Sequence, residues 1–256
     1  EISLGLVGSE MCIRDRGKLG QTHNSPFLMV VGMNRPHAPF YAPKEFFDLF
    51  KDVNGNNTVS LPPLPSGDDL ADLPDIAKGR PFGALLDRGY QSGMNKYKQD
   101  YGNGANEWWL NFIQGYLACV AFADHQVGVI WDALQDSDYA NNTIVIVTSD
   151  HGYHLGEKGH WQKQTLYDRA TRVPLIISGP GIKSNKKILN SPVELIDLYK
   201  TIMDLTGINV PEFVQGYSLK ESLISDKKIE RKSALSELRA VSYTHLRAHE
   251  TEADLV

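Results

Sequence analysis

Three short, continuous aliphatic runs constrain this chain more than any other feature. They are PFLMVVGM at 26–33, NTIVIVTS at 142–149 and TRVPLIISGPG at 171–181. A run of this length and apolarity reads as a strand, and the first reads as a strand buried on both faces. The segments between them carry a different period. Trp108, Trp109, Phe112, Ile113, Tyr116, Leu117, Val120, Val127, Ile130, Trp131 and Leu134 recur at three-to-four spacing, which is one apolar face of a long helix. PKEFFDLF, starting at Pro43, reads as a short helix with proline near its first turn. SPVELIDLYKTIMDLTG predicts a helix with Ser191 as N-cap, Pro192 at the first position, Glu194 completing a capping box and Gly207 as the stop. Strands that alternate with helices predict an α/β domain built on a mainly parallel sheet flanked by helices.

The ends of the chain lack either period. LVGSEMCIRDR and SYTHLRAHET resemble translated sequencing-adapter read-through. Residues 1–20 and 240–256 are therefore expected to be non-native tails around a partial domain at 21–239. Residues 51–105, rich in Pro, Gly, Asn and Asp, read as a long surface insertion. The net charge of −5 offers no basic face, so no nucleic-acid partner is expected. No uninterrupted apolar run approaches the roughly 20 residues of a bilayer span, so no membrane span is expected either. The first ten residues lack the cationic start of a signal peptide, which leaves a cytosolic protein or a missing N-terminus. Cys12 and Cys119 form no metal-like or redox-like pair, and Cys119 lies on the apolar long helix, where a buried thiol is commonplace.

Chemistry concentrates where the strands end, because sites in open α/β sheets lie beyond the carboxyl edge. The second run stops abruptly at Ser149-Asp150-His151-Gly152. A carboxylate after so apolar a strand is expected to be desolvated unless a positive group meets it. It either holds a divalent cation or caps the following loop, and Gly152 suggests a sharp backbone turn. His151, His154 and His160 invite a zinc reading, yet their spacing is not that of helical zinc peptidases. His154, Glu157 and His160 read as packed or solvated loop residues. Lys163 follows twelve residues after His151, in a loop able to fold back; the ordinary fate of such a lysine is a solvated surface. The first run leads into NRPHAPFYAP, whose prolines at 36, 39 and 43 predict a rigid extended loop. His37 on that loop is pre-positioned as a general acid would need to be, or is a loop histidine of no consequence.

At these residues the chain resembles the sulfatases of the alkaline-phosphatase-like superfamily. The resemblance rests on RPHAPFYAPKEFFDLF, GYLACVAFADHQVGVIWDAL, TSDHGYHLGEKGHWQKQTLYDRATRVPLIISGPG and ELIDLYKTIMDLTGINVPEFVQGYSL, and covers about residues 25–225. Its flavour is that of the iduronate-sulfatase-like and choline-sulfatase-like branch. Asp-His-Gly is shared with phosphodiesterases and phosphomutases of the superfamily. Its combination with Leu-Gly-Glu-x-Gly-x-Trp-x-Lys and Arg-x-Pro-Leu-Ile is the specific signal.

The resemblance implies an alkaline-phosphatase-like fold, incomplete here because its N-terminal strands are absent. It implies that Asp150 and His151 belong to a Ca²⁺ site, with Asp150 the better ligand for a hard cation. It implies that Lys163 contacts the sulfate, that His37 contacts it and protonates the leaving alcohol, and that Arg35 stands where relatives carry a basic residue. A sulfated small molecule or glycan is the implied substrate, and a secreted, periplasmic or lysosomal compartment the implied place. The oligomeric state is left open. The family's formylglycine, made from Cys or Ser in Cys/Ser-x-Pro-x-Arg, and its Asp pair near the N-terminus are both expected upstream. Neither stands in this sequence, so the polypeptide alone is expected to be inactive. The remaining readings are a metal-dependent phosphodiesterase or phosphomutase of the same superfamily, and an inactive truncated domain.

Overall fold

A computed structural model describes residues 16–61, 71, 105–157, 161–163, 165–183, 188–225 and 227–237. Most of the expected insertion, most of the first expected tail and all of the last lie outside these residues, as does His160. The chain divides into two compact units. The first comprises Glu1–Ile146, His154–Trp161 and Ile176–Pro180; the second comprises Val147–Tyr153, Gln162–Leu175 and Gly181–Val256.

In order, the elements are α1 (Lys44–Asp48), α2 (Ala105–Gln135), β1 (Val145–Thr148), β2 (His154–Leu155), β3 (Trp161–Gln162), α3 (Asp168–Thr171), β4 (Leu175–Ser178), α4 (Asp197–Thr206) and α5 (Lys220–Ile224). β1 pairs with β4, and β2 pairs with β3. The protein is α/β, as the alternation of periods predicts.

α2 organises the first unit. Its 31 residues follow the expected long helix, and Ile113, Ala118, Cys119 and Leu134 on it are buried. Burial also raises the Cys119 thiol pKa, against a smaller lowering effect from Arg35. α1 starts directly after Pro43, as expected, and packs on α2. Phe46 meets the Phe122 ring at 5.2 Å and the His125 ring at 5.6 Å. The buried Gln114 donates to the Phe47 carbonyl at 3.3 Å, tying the end of α1 to α2.

This helix qualifies the expectation of no membrane span without overturning it. By length and composition the stretch Trp109–Gln135 is long and apolar enough to cross a membrane, and an 18-residue window within it reaches a mean hydropathy of 1.2. A count of uninterrupted apolar residues misses this window, because polar residues such as Asp124-His125-Gln126 break the run while its average stays high.

The first aliphatic run departs from expectation. Residues 26–33 form no strand and are not buried on both faces. They alternate, with Phe27, Met29, Val31 and Met33 half-buried while Leu28 and Val30 are 51% and 54% exposed. The alternation is that of extended chain, but among the described residues no strand lies beside it to cover the other face.

In the second unit α4 begins five residues later than its sequence punctuation suggests. Ser191 is not its N-cap and Glu194 closes no capping box. Instead the Asp197 carboxylate accepts from the Glu194 N–H at 2.8 Å, and the Asp197 N–H donates to the Glu194 carbonyl at 3.0 Å. The stop is as expected: Gly207 sits at φ 72°, and the Ile208 N–H closes back on the Met203 carbonyl at 3.0 Å. Thr201, fully buried, ties α4 to the following turn by accepting from the Leu219 N–H at 2.9 Å.

Candidate active site

The Asp150–His151 pair stands two residues past β1, in the second unit. The strand delivers it through Thr148, whose hydroxyl donates to the Pro174 carbonyl at 2.9 Å. The Ser149 hydroxyl donates to the His151 carbonyl at 2.9 Å, and the His151 N–H donates to Asp150 Oδ1 at 3.0 Å. These local bonds fold the strand end into a tight loop. They also bring His151 Nε2 to 3.3 Å from Asp150 Oδ2. His151 Nδ1 lies 2.9 Å from the Gly152 carbonyl, which can only accept, so Nδ1 carries the proton. Nε2 and Oδ2 are thus the two atoms this loop presents together.

The carboxylate is not desolvated. The Asp150 side chain is 82% exposed, against 31% for His151. The apolarity of β1 does not extend past its end, because Thr148 is already exposed. Gly152 is required for space rather than for an unusual dihedral. A Cβ there would lie 2.0 Å from the Arg169 carbonyl oxygen, and the Gly152 N–H donates to the Ala170 carbonyl at 2.7 Å. The short helix α3 is therefore the backstop of the Asp150–His151 loop.

Among the described residues no three His, Cys, Asp or Glu side chains come together to hold a metal. Asp150 and His151 offer one carboxylate and one imidazole, whereas Ca²⁺ takes six to eight oxygens. These residues alone do not fit the expected ion.

Lys163, half-buried, follows β3 in the second unit. Two residues set the path to it. Gly156, at φ 116°, opens the β2–β3 connection in the first unit. Gln162, at φ 68°, holds a left-handed conformation directly before the lysine. Gln162 carries no compositional signal that would mark this conformation in the sequence.

His154 is packed, at 1% exposure. Glu157 is its partner, with His154 Nδ1 and Glu157 Oε2 3.9 Å apart. Burial acts to raise the Glu157 pKa, but the nearby His154 ring and the hydrogen bond from the Leu155 N–H outweigh it and draw the carboxyl down to about 2. Both residues are structural parts of the hairpin, in line with the loop-residue reading and not with zinc.

Arg35 and His37 belong to the first unit. Their loop is not simply extended: the His37 N–H donates to the Asn34 carbonyl at 2.9 Å and closes a turn. The Arg35–Pro36 and Ala38–Pro39 peptide bonds are cis. The Arg35 guanidinium is committed inside the loop, donating to the Tyr41 carbonyl at 2.8 Å and to Asn34 Oδ1 and the His37 carbonyl at 3.1 Å. His37 Nδ1 faces the Ala38 carbonyl, which leaves Nε2 of this exposed residue toward solvent.

Comparison with known proteins extends these local features. The sulfatase family model matches residues 16–208. A sulfatase of Formosa agariphila is 33% identical over 237 residues, covering 93% of this chain and 42% of that protein. Human iduronate 2-sulfatase is 35% identical over 215 residues, covering 75% of this chain and 38% of that protein. The chain thus spans about two fifths of the length of these relatives. In structure, a phosphonate monoester hydrolase of Agrobacterium radiobacter aligns with a TM-score of 0.70 at 22% identity, covering 94% of this chain and 47% of that one. Its likeness is one of fold, the alkaline-phosphatase-like architecture shared by the chain's sulfatase neighbours. The extent of the family match decides the matter: the chain belongs to the sulfatase family.

Proposed function

We propose that this chain is part of an enzyme that hydrolyses sulfate esters, with sulfated carbohydrate as the substrate class. The observation that carries the reading is the family match over residues 16–208, which includes the His37 loop and the whole stretch from Asp150 to Lys163. The glycan substrate is drawn from the 35% identity to an iduronate 2-sulfatase. In this reading the Lys163 ammonium and the His37 imidazole bind the sulfate, where charge spreads over its oxygens. His37 Nε2 gives the proton that the departing alcohol takes up. Asp150 is one ligand of a Ca²⁺ ion whose other oxygen donors are not among the described residues, and His151 lies beside it. A mainly parallel sheet completed by further N-terminal strands, and a formylglycine nucleophile, belong to the rest of the enzyme.

The test uses two proteins. This chain, given an aryl sulfate, Ca²⁺ and a formylglycine-generating enzyme, shows no turnover above a His37→Ala control; clear hydrolysis overturns the fragment reading. A longer gene product that carries a Cys/Ser-x-Pro-x-Arg segment upstream hydrolyses the aryl sulfate, and loses that activity with His37→Ala or Lys163→Ala. A preference for a phosphonate or phosphate diester over the sulfate overturns the sulfatase reading.

A further inference from the structure

Phe112, near the N-terminal end of α2, touches two loops at once. Its ring stands edge-to-face with Phe40, at 4.9 Å and 74°, and with Trp161, at 4.9 Å and 79°. Phe40 lies three residues after His37 in the proline loop. Trp161 opens β3, two residues before Lys163. All three aromatic residues belong to the first unit.

Both contacts are built closely. A Cβ on Gly115, one turn along α2, would lie 3.0 Å from Phe40 Cδ2, so this glycine lets the proline loop lie against the helix backbone. On the other side the Trp109 indole N–H donates to the Leu155 carbonyl of β2. A Cβ on Gly156 would come within 2.6 Å of that indole. The helix therefore grips the β2–β3 hairpin and the His37 loop through neighbouring turns, and among the described residues Phe112 is the ring shared by both contacts.

We propose that Phe112 is a positioning residue that couples the order of the His37 loop to that of the β2–β3 hairpin leading into Lys163. Its importance for sulfate recognition rests on the function proposed above; the coupling does not. Edge-to-face aromatic pairs contribute about 0.5–1.5 kcal/mol each. At about 0.7 kcal/mol each, losing both ring contacts corresponds to roughly a tenfold gain in local opening.

Amide hydrogen exchange on the 256-residue chain tests the coupling. Phe112→Leu accelerates exchange roughly tenfold in both segments 37–41 and 154–157. Phe112→Tyr, which keeps the ring, restores the slow exchange. Phe46→Leu, which disturbs α1 on the same helix, leaves both segments unchanged. Acceleration in only one segment, in neither, or equally with Phe46→Leu overturns the proposal. Should Phe112→Leu unfold the chain, the milder Phe112→Met is read against the same criteria. In parallel, inorganic sulfate is titrated while the His37 ring resonances are followed by NMR. If the unaltered chain shows no sulfate-induced shift, the sulfate reading of His37 fails, while the exchange data still decide the coupling. If it shows one, Phe112→Leu weakens it severalfold and Phe112→Tyr recovers it; an unchanged affinity in Phe112→Leu overturns the positioning role.

Discussion

The Arg231 guanidinium lies bidentate on the Asp197 carboxylate, Nη1 to Oδ2 at 2.6 Å and Nη2 to Oδ1 at 2.9 Å, across 34 residues of chain. Asp197 is completely buried, and the Arg231 side chain is 9% exposed. The carboxylate also accepts from the N–H groups of Glu194 and Tyr217, each at 2.8 Å. Arg231 further approaches Glu194 at 3.3 Å and stacks 4.5 Å over the Tyr217 ring. This network fastens residues 227–237 to the start of α4. Removing one partner of a buried pair leaves the other charge uncompensated, at a cost of about 3–5 kcal/mol. Arg231→Ala is expected to fall at the low end, about 3 kcal/mol, because two N–H donors remain on Asp197. Urea unfolding followed by circular dichroism measures it; a loss below about 1 kcal/mol, typical of a surface pair, contradicts it.

Gly152→Ala is expected to push the Asp150–His151 loop away from α3. The added methyl meets a backbone oxygen at 2.0 Å, and a backbone cannot swing aside as a side-chain tip can. Overpacking of this kind costs about 1–3 kcal/mol. The same denaturant experiment reads the loss, and the His151 ring resonances shift with it. A variant as stable as the parent, with unmoved His151 signals, rules out the backstop role of α3.

Glu157 sets a pH dependence. Its carboxyl pKa is drawn from the usual 4.5 to about 2, because the charged form is the one that is hydrogen-bonded. A depressed folded-state value means that the contribution is fully present above 4.5 and is lost as pH falls through that window toward 2. Glu157→Gln is expected to flatten the stability profile between those limits while changing little of its slope above them. An unaltered slope in the variant refutes the assignment.

Calcium is expected to bind this chain weakly or not at all. One carboxylate and one imidazole fall well short of six to eight oxygens. Calorimetric titration with CaCl₂ should give no saturable heat in the micromolar range, and a chelator should leave the melting temperature in place. Tight binding that disappears in Asp150→Asn would mean that the chain completes the site itself.

The long helix, its buried Cys119, the strands at β1 and β4 and the glycine stop at Gly207 were all legible in the sequence, because period and punctuation are local properties. The specific combination of Asp150-His151-Gly152 with the Lys163 segment was legible too, as a family resemblance that the match over residues 16–208 bears out. Local signals failed where burial depends on neighbours. Residues 26–33 are apolar enough for a doubly buried strand, yet no described strand lies beside them. Asp150 follows an apolar strand and is nevertheless solvated. Ser191 and Glu194 spell a capping box, but Glu194 instead receives the Leu235 N–H at 2.6 Å and lies beside Arg231. The sequence by itself determined where the long helix, β1, β4 and the end of α4 lie, and which family the chain resembles. Only the tertiary structure decided what Gly152, Phe112, Gln162 and Asp197 are for, because the atoms that constrain each residue come from distant chain, or from a backbone angle that side-chain chemistry does not encode.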